Sequence, residues 1–335
     1  MLKIDTHAHV LPESWPNLAE KYGDDRFAVI HHREGRHRIY KDGKFFREIW
    51  PNTWDPELRI SEYAQFGVQV QVISTVPVLF SYWAKPHQAL DLHQHLNNHK
   101  AEVCRKFPRH YAGLGTVPLQ SPRLAIQEME RCVDQLGLQG VQIGSHVNDW
   151  NLNAPELFEF FQAAQDLEAA VLIHPWDMMG SSSMPDYWLP WLVGMPAEQS
   201  RAACSLIFGG VLERLPRLRI CFAHGGGSFP FTIGRIEHGF NMRPDLVAMD
   251  NPRNPREYFS RIFFDSCVHD PQALRYLIDV VGAEQVMLGT DYPFPLGEQK
   301  PGSGIDALSL DPIAQERLFN GTALQWLALP KSRFA

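Results

Sequence analysis

Eight short runs rich in β-branched and apolar residues recur along the chain. They restrict the possible folds more than any other feature. The runs are Leu2–Thr6, Val68–Thr75, Tyr111–Val117, Gly140–Ile143, Ala170–Ile173, Leu218–Ala223, Ile262–Asp265 and Gln285–Gly289. Between them, Ser121–Leu136, Ala154–Leu167, Ser200–Leu215 and Pro271–Val281 read as amphipathic helices. Strands alternating with helices make βαβ units and a parallel sheet. Polar, glycine or histidine residues follow nearly every run: His7 and His9, Ser74-Thr75, His174, His224-Gly225-Gly226-Gly227, Asp265-Ser266 and Thr290-Asp291 among them. A closed barrel collects functional groups at the C-terminal mouths of all its strands, whereas an open doubly wound sheet collects them at one switch point. The expected fold is therefore α/β, a (β/α)8 TIM-type barrel.

One interval breaks the alternation. Residues 7–67 separate the first run from the second, far more chain than one helix needs. Within them Phe27–His31, Arg38–Lys41 and Lys44–Ile49 read as short strands, with Asp42-Gly43 as a hairpin turn. The chain thus divides into a barrel formed by residues 1–11 and 56–335 and a small β-rich insertion, residues 12–55. The insertion leaves from the end of strand one, so it is expected to form a lid or wall over the barrel mouth.

Bulk properties exclude several classes. A net charge of -7 with no long Lys/Arg run argues against a nucleic-acid partner. No stretch approaches the roughly 20 apolar residues that span a bilayer. The N-terminus enters a strand pattern at once, with no basic region followed by an apolar core, so a cytoplasmic location is expected. The five cysteines (Cys104, Cys132, Cys204, Cys221, Cys267) are odd in number, scattered and without a CxxC pair. Buried free thiols are expected, not a disulfide framework or a thiolate metal site.

His7 and His9 are two apart at the end of the first run. On a strand, residues two apart share a face, so both imidazoles point the same way. His174 ends the fifth run and Asp291 follows the eighth. Three imidazoles and a carboxylate from three strand mouths suit a borderline divalent ion, above all Zn2+, with a position left for water. His93 and His95 have the same spacing but lie in Gln88–Phe107, which reads as helix, where residues two apart do not share a face. They are expected to be packed or solvated. His31, His32 and His37 have no ligand geometry, and His110, His238 and His269 read as structural. His224, after the sixth run, is either a fifth ligand or a base beside the metal. With four ligands counted, the reading is an acid/base residue, since zinc brings the pKa of its water to about 7 and a nearby imidazole can take that proton.

These strand-end motifs resemble the metal-dependent amidohydrolase superfamily. Further segments narrow the resemblance: Ser74-Thr-Val-Pro-Val78, Phe80-Ser-Tyr-Trp-Ala-Lys-Pro86, Gly140-Val-Gln-Ile-Gly144, His174-Pro-Trp-Asp177, Tyr187 to Glu198, Cys221-Phe-Ala-His-Gly-Gly-Gly227, His238-Gly-Phe240 and Gly289 to Glu298. Together they are similar to the 2-amino-3-carboxymuconate 6-semialdehyde decarboxylase family, from Met1 to about Leu327. The resemblance implies non-oxidative loss of CO2 from that semialdehyde, in tryptophan–kynurenine catabolism or nitroaromatic degradation. It implies one Zn2+ per subunit on His7, His9, His174 and Asp291, with His224 as the acid/base residue. It also implies a homodimer in which Arg235 of one subunit enters the neighbour's site, with Arg243 supporting the interface. Arg47, Trp191 and Lys41 match substrate-pocket positions. No lysine ends strand four (Val141-Gln142-Ile143-Gly144), so a carboxylated lysine bridging two metals is not available.

The competing readings are an aromatic-acid decarboxylase, a hydrolase on the same scaffold, and a non-catalytic metal-binding protein. Fold alone does not separate them. Arg47, Trp191 and Arg235 are the discriminating residues.

Overall fold

A computed structural model describes residues 1–334. In chain order its strands are β1 (Ile4–Val10), β2 (Val29–Arg33), β3 (Arg36–Lys41), β4 (Lys44–Ile49), β5 (Val70–Thr75), β6 (Tyr111–Thr116), β7 (Gly140–Gly144), β8 (His146–Val147), β9 (Trp150–Asn151), β10 (Ala170–His174), β11 (Arg219–Phe222), β12 (Ile262–Asp265) and β13 (Val286–Met287). Eight of them form one parallel sheet in the order β1-β5-β6-β7-β10-β11-β12-β13. The chain after β13 closes the sheet onto β1. Thr6 N–H donates to Leu288 O (2.8 Å), Asp291 N–H to His7 O (2.8 Å) and His9 N–H to Tyr292 O (2.7 Å). The predicted (β/α)8 barrel is the fold observed.

The interior of the barrel is an apolar plug. Ile4, Val72, Leu114, Leu172, Cys221 and Met287 share one buried cluster, capped at the N-terminal end by Trp326. A second, larger cluster lies between strands and surrounding helices. Asp270 shows how a helix start is encoded: its carboxylate accepts from Gln272 N and Ala273 N, and Pro271 follows at a position needing no donor.

Two strand boundaries differ from expectation. The first strand runs on to Val10, so His7 and His9 lie inside it and not after it. Pairing on both sides, with β5 and with the Leu288–Tyr292 segment, holds that extension. The last strand is only Val286–Met287, because the chain bends away toward Asp291 to close the barrel. All five cysteines are free, and four are buried. No helix among the described residues is long and apolar enough to cross a membrane.

Between β1 and β5, strands β2, β3 and β4 make a separate antiparallel sheet. Its β3–β4 turn is Asp42 (φ 55°) and Gly43 (φ 66°), the positive-φ pair that two-residue hairpins favour. Ile30, Ile39 and Ile49 pack in one buried cluster with Leu92 and Leu96 of the helix Pro86–Lys106 and with Phe294. That packing brings one edge of the small sheet to the barrel mouth.

Gly140 opens β7 at φ 152°, where a β-carbon would lie 1.9 Å from the backbone oxygen of Ala170 in β10. Gly140→Ala is expected to cost about 3 kcal/mol or more, since backbone on a paired strand cannot move aside. Thermal unfolding should show a midpoint several degrees lower. An unchanged midpoint would mean that the two strands separate without cost.

Candidate active site

The four predicted ligands converge at the C-terminal mouth of the barrel. One donor atom from each of His7, His9, His174 and Asp291 lies within 4.8 Å of every other, and all four residues are buried. Each imidazole is pinned through Nδ1. His7 Nδ1 meets Asp265 Oδ2 at 2.6 Å, His9 Nδ1 meets Thr75 O at 3.0 Å, and His174 Nδ1 meets Pro175 O at 2.6 Å. In a neutral imidazole the nitrogen that donates leaves the other as an acceptor. The three Nε2 atoms therefore turn lone pairs toward one point.

That arrangement fits a cation. His7 Nε2 and His9 Nε2 are 3.1 Å apart, and Asp291 Oδ1 is 2.9 Å from His9 Nε2 and 3.5 Å from His7 Nε2. His174 Nε2 is buried with no hydrogen-bond partner among the described residues. Four acceptors facing one another repel unless a positive charge lies between them. Three nitrogens and one carboxylate oxygen are a donor set for a divalent ion.

Electrostatics point the same way for two of the three imidazoles; burial pulls His7 down, but Asp265 raises it above its ordinary value. Burial pushes His9 down to about 4, against the pull of Asp291. Burial, with His224, His7 and His9 close by, holds His174 well below the usual imidazole range. Both therefore stay neutral, as a ligand must. Burial would push the Asp291 carboxyl up, but the imidazoles of His224, His9 and His7 beside it hold it well below the usual carboxylate range.

His224 stands beside this group and outside the four. Its ring centroid is 4.9 Å from that of His174, and its Nε2 is 3.5 Å from Asp291 Oδ2. Its side chain is 18% exposed, on the cavity side. The turn that carries it has φ 55° at His224 and is held by Asp265, whose carboxylate accepts from His224 N and Gly225 N at 2.9 Å each.

The cavity over the site has a volume of about 690 Å³. Lys41, Arg47 and Trp191 line it together with His9, His174, His224 and Asp291. Arg47 lies 4.3 Å over the Phe294 ring and 5.1 Å over Phe46, with no ion pair among the described residues. Burial lowers its pKa while the charge of Asp291 opposes the shift. Trp191 stacks on Trp188 with ring centroids 5.8 Å apart. Arg235 is exposed on the helix Ile233–Met242 and does not line the cavity of its own chain. Arg243 is exposed and paired with Asp245 at 2.7 Å.

The control histidines behave as packing and solvation dictate. His93 is buried, with Nε2 3.1 Å from Phe80 O, and His95 is outside the site, near Ser14 O. His269, read as structural, instead lies on the cavity wall, with Nε2 3.7 Å from Cys267 Sγ. Sequence reasoning also missed three supporting acids. Asp265 orients His7 and His224 together, and its only signal was its place at a strand end. Asp5 accepts from Thr290 Oγ1 and Tyr63 OH at 2.7 Å each, and from His7 N at 3.1 Å, tying β1 to the segment that carries Asp291. Burial drives the Asp5 carboxyl up to about 6 against those donors. Glu198 accepts from Trp176 N (2.8 Å), Met179 N (3.1 Å) and the Ser145 hydroxyl, anchoring the loop after His174. No local pattern announces either.

The amidohydrolase family profile matches residues 4–329. The chain is 55% identical to the 2-amino-3-carboxymuconate-6-semialdehyde decarboxylase of Dictyostelium discoideum, over 99% of this chain and 93% of that protein. It is 39% identical to the protein of the same name in Caenorhabditis elegans, over 91% of this chain and 88% of the other. Among solved structures, the 5-carboxyvanillate decarboxylase of Sphingomonas paucimobilis superposes with a TM-score of 0.83 at 25% identity, covering 98% of this chain and 99% of that one.

Proposed function

The chain belongs to the amidohydrolase family and is a carboxy-lyase, and we propose that it converts 2-amino-3-carboxymuconate 6-semialdehyde to 2-aminomuconate 6-semialdehyde and CO2, with one Zn2+ per subunit. The name carried by the two relatives supports the substrate. Nitrogen-rich tetradentate donation supports zinc over harder ions. The observation that carries the reading is Arg47, a guanidinium without an ion-pair partner among the described residues, in one cavity with His224 and with His9, His174 and Asp291 of the four-ligand group.

His7, His9, His174 and Asp291 would hold the ion, which when bound supplies Lewis-acid chemistry by acidifying water and drawing charge from an oxygen it touches. The residues do the rest. The planar fork of Arg47 binds one substrate carboxylate through two oxygens. Lys41 adds charge at the cavity edge, and Trp191 gives the flat conjugated chain an apolar wall. His224 Nε2 takes a proton from water on the ligand side of the cavity, and the hydroxide so formed adds to the conjugated chain. His224 returns the proton to the neighbouring carbon that bears the carboxylate, forming its C–H bond; the C–CO2 bond then breaks, its electron pair re-forms the double bond, and the hydroxide leaves, regaining a proton from solvent as water. Asp265 keeps His224 and His7 in register throughout. No redox step is involved.

We assign Arg235 to the site of a second subunit in a homodimer. It is exposed, and Met242, Leu246 and Met249 close to it in the chain are exposed apolar residues, which suits an interface. The purified protein should consume the semialdehyde and release CO2, while a dihydroxybenzoate and a lactone remain untouched. Turnover of either comparator instead would replace the proposed substrate. Mixing Arg47→Ala with Arg235→Ala subunits gives each mixed dimer one site with both arginines, so equal random mixing should restore about a quarter of the unaltered activity. No restoration would place Arg235 outside the site.

A further inference from the structure

The small sheet has a charge opposite to that of the molecule that carries it. Residues 29–49 contain six cations, Arg33, Arg36, Arg38, Lys41, Lys44 and Arg47, against three carboxylates, Glu34, Asp42 and Glu48. The sheet is therefore at +3 in a chain whose total is -7. The sign is not neutralised locally. Glu48 takes up Arg36 (3.3 Å) and Arg38 (2.8 Å), while Arg33, Lys41, Lys44 and Arg47 have no ion-pair partner among the described residues.

The position of these charges matters as much as their sign. Lys41 and Arg47 line the cavity, so the inner edge of the sheet is the cavity wall. Lys44 is paired directly across the hairpin from Lys41 and is exposed, just outside. Arg33 and Arg36 are paired at the far hairpin and are also exposed. At about 3.4 Å per residue, the far pair is roughly 17 Å from Lys41 along β3. The cations thus form a graded series from the solvent to the reacting end of the pocket.

We propose that the β2–β4 sheet is an electrostatic guide that draws an anionic substrate, a dicarboxylate, to the mouth of the cavity. The inference rests on the substrate reading above, because a neutral substrate would feel no such field. An otherwise acidic surface repels a dianion. One basic element at the entrance gives the encounter a direction, and such fields raise association rates by about 10–10³-fold. A lone cationic face is more often simply solvated. Its continuity with two cavity-lining cations separates this face from that case.

The test uses the intact enzyme and two residues that lie outside the cavity lining, Lys44 and Arg33. Lys44→Glu, Arg33→Glu and the double variant are assayed with the semialdehyde from low to high ionic strength. The screening length falls from about 30 Å at 0.01 M to about 8 Å at 0.15 M, so the effect must fade with salt. In the double variant, kcat/KM should drop by about three- to tenfold at low salt and return to within about twofold of the unaltered enzyme at high salt, with kcat unchanged. Lys44→Glu should have the larger single effect, being nearer the mouth. A double variant with the same kcat/KM and the same salt dependence as the unaltered enzyme would overturn the guide while leaving the substrate reading intact. A drop that persists at high salt would also overturn it, since that is a contact effect. No turnover of the semialdehyde by the unaltered enzyme at any salt would sink the substrate reading, and the guide with it.

Discussion

Stripping divalent metal from the protein with a chelator is expected to abolish decarboxylation, and one equivalent of Zn2+ per chain to restore it. The geometry of the site suits that role. Three Nε2 atoms and Asp291 Oδ1 face a common point, two of the nitrogens at 3.1 Å. Their Nδ1 atoms are already committed to Asp265, Thr75 and Pro175. With the Nδ1 hydrogens so placed, neutral rings turn only acceptors to the centre, and a cation there makes them compatible. Asp291→Ala should weaken rebinding of the ion and leave the restored activity lower, because it removes the only carboxylate of the set. Metal analysis beside CO2 release gives the result. Full turnover by rigorously demetallated protein would end the metal-dependent reading.

Replacing His224 by alanine should lower kcat by about 10²–10⁴-fold, the range typical of a lost general acid/base, without loss of bound metal. The two halves of that statement come from separate observations. His224 is outside the group of four whose donor atoms lie within 4.8 Å of one another, so metal retention follows. Its imidazole is partly exposed to the cavity, with Nε2 3.5 Å from Asp291 Oδ2, where a proton can be exchanged with water and substrate. Alanine keeps the backbone amide that Asp265 holds, so the turn is not released, although φ 55° suits alanine poorly. His224→Asn, a residue that tolerates that conformation, is the control for strain and should be equally slow. Near-normal turnover in either variant would remove His224 from the proton path. Loss of metal in both would make it a ligand.

Much of this site was legible in the sequence because strand ends leave a mark. A parallel barrel needs apolar runs of fixed length, and each run stops where the chain meets solvent or substrate. His174 and Asp291 could be placed for that reason, and His7 with His9 by the two-residue period of a strand. His269 shows the limit. It also follows a strand run, yet no pattern distinguished a cavity-wall residue from a packed one. The insertion was legible as β structure from its alternation and the Asp42-Gly43 turn. The side of the mouth it covers was not, because that follows from packing Ile30, Ile39 and Ile49 against Leu92 and Leu96.

Sequence alone determined the kinds of element, their order and the donor atoms available, since these depend on local periodicity and side-chain chemistry. Tertiary structure decided how those atoms are oriented. Asp265 lies 258 residues from His7 in the chain yet 2.6 Å from its ring, and Asp5 is held to Thr290 across 285 residues. Contacts at such separations arise only when the barrel closes, and closure is a property of all eight strands at once.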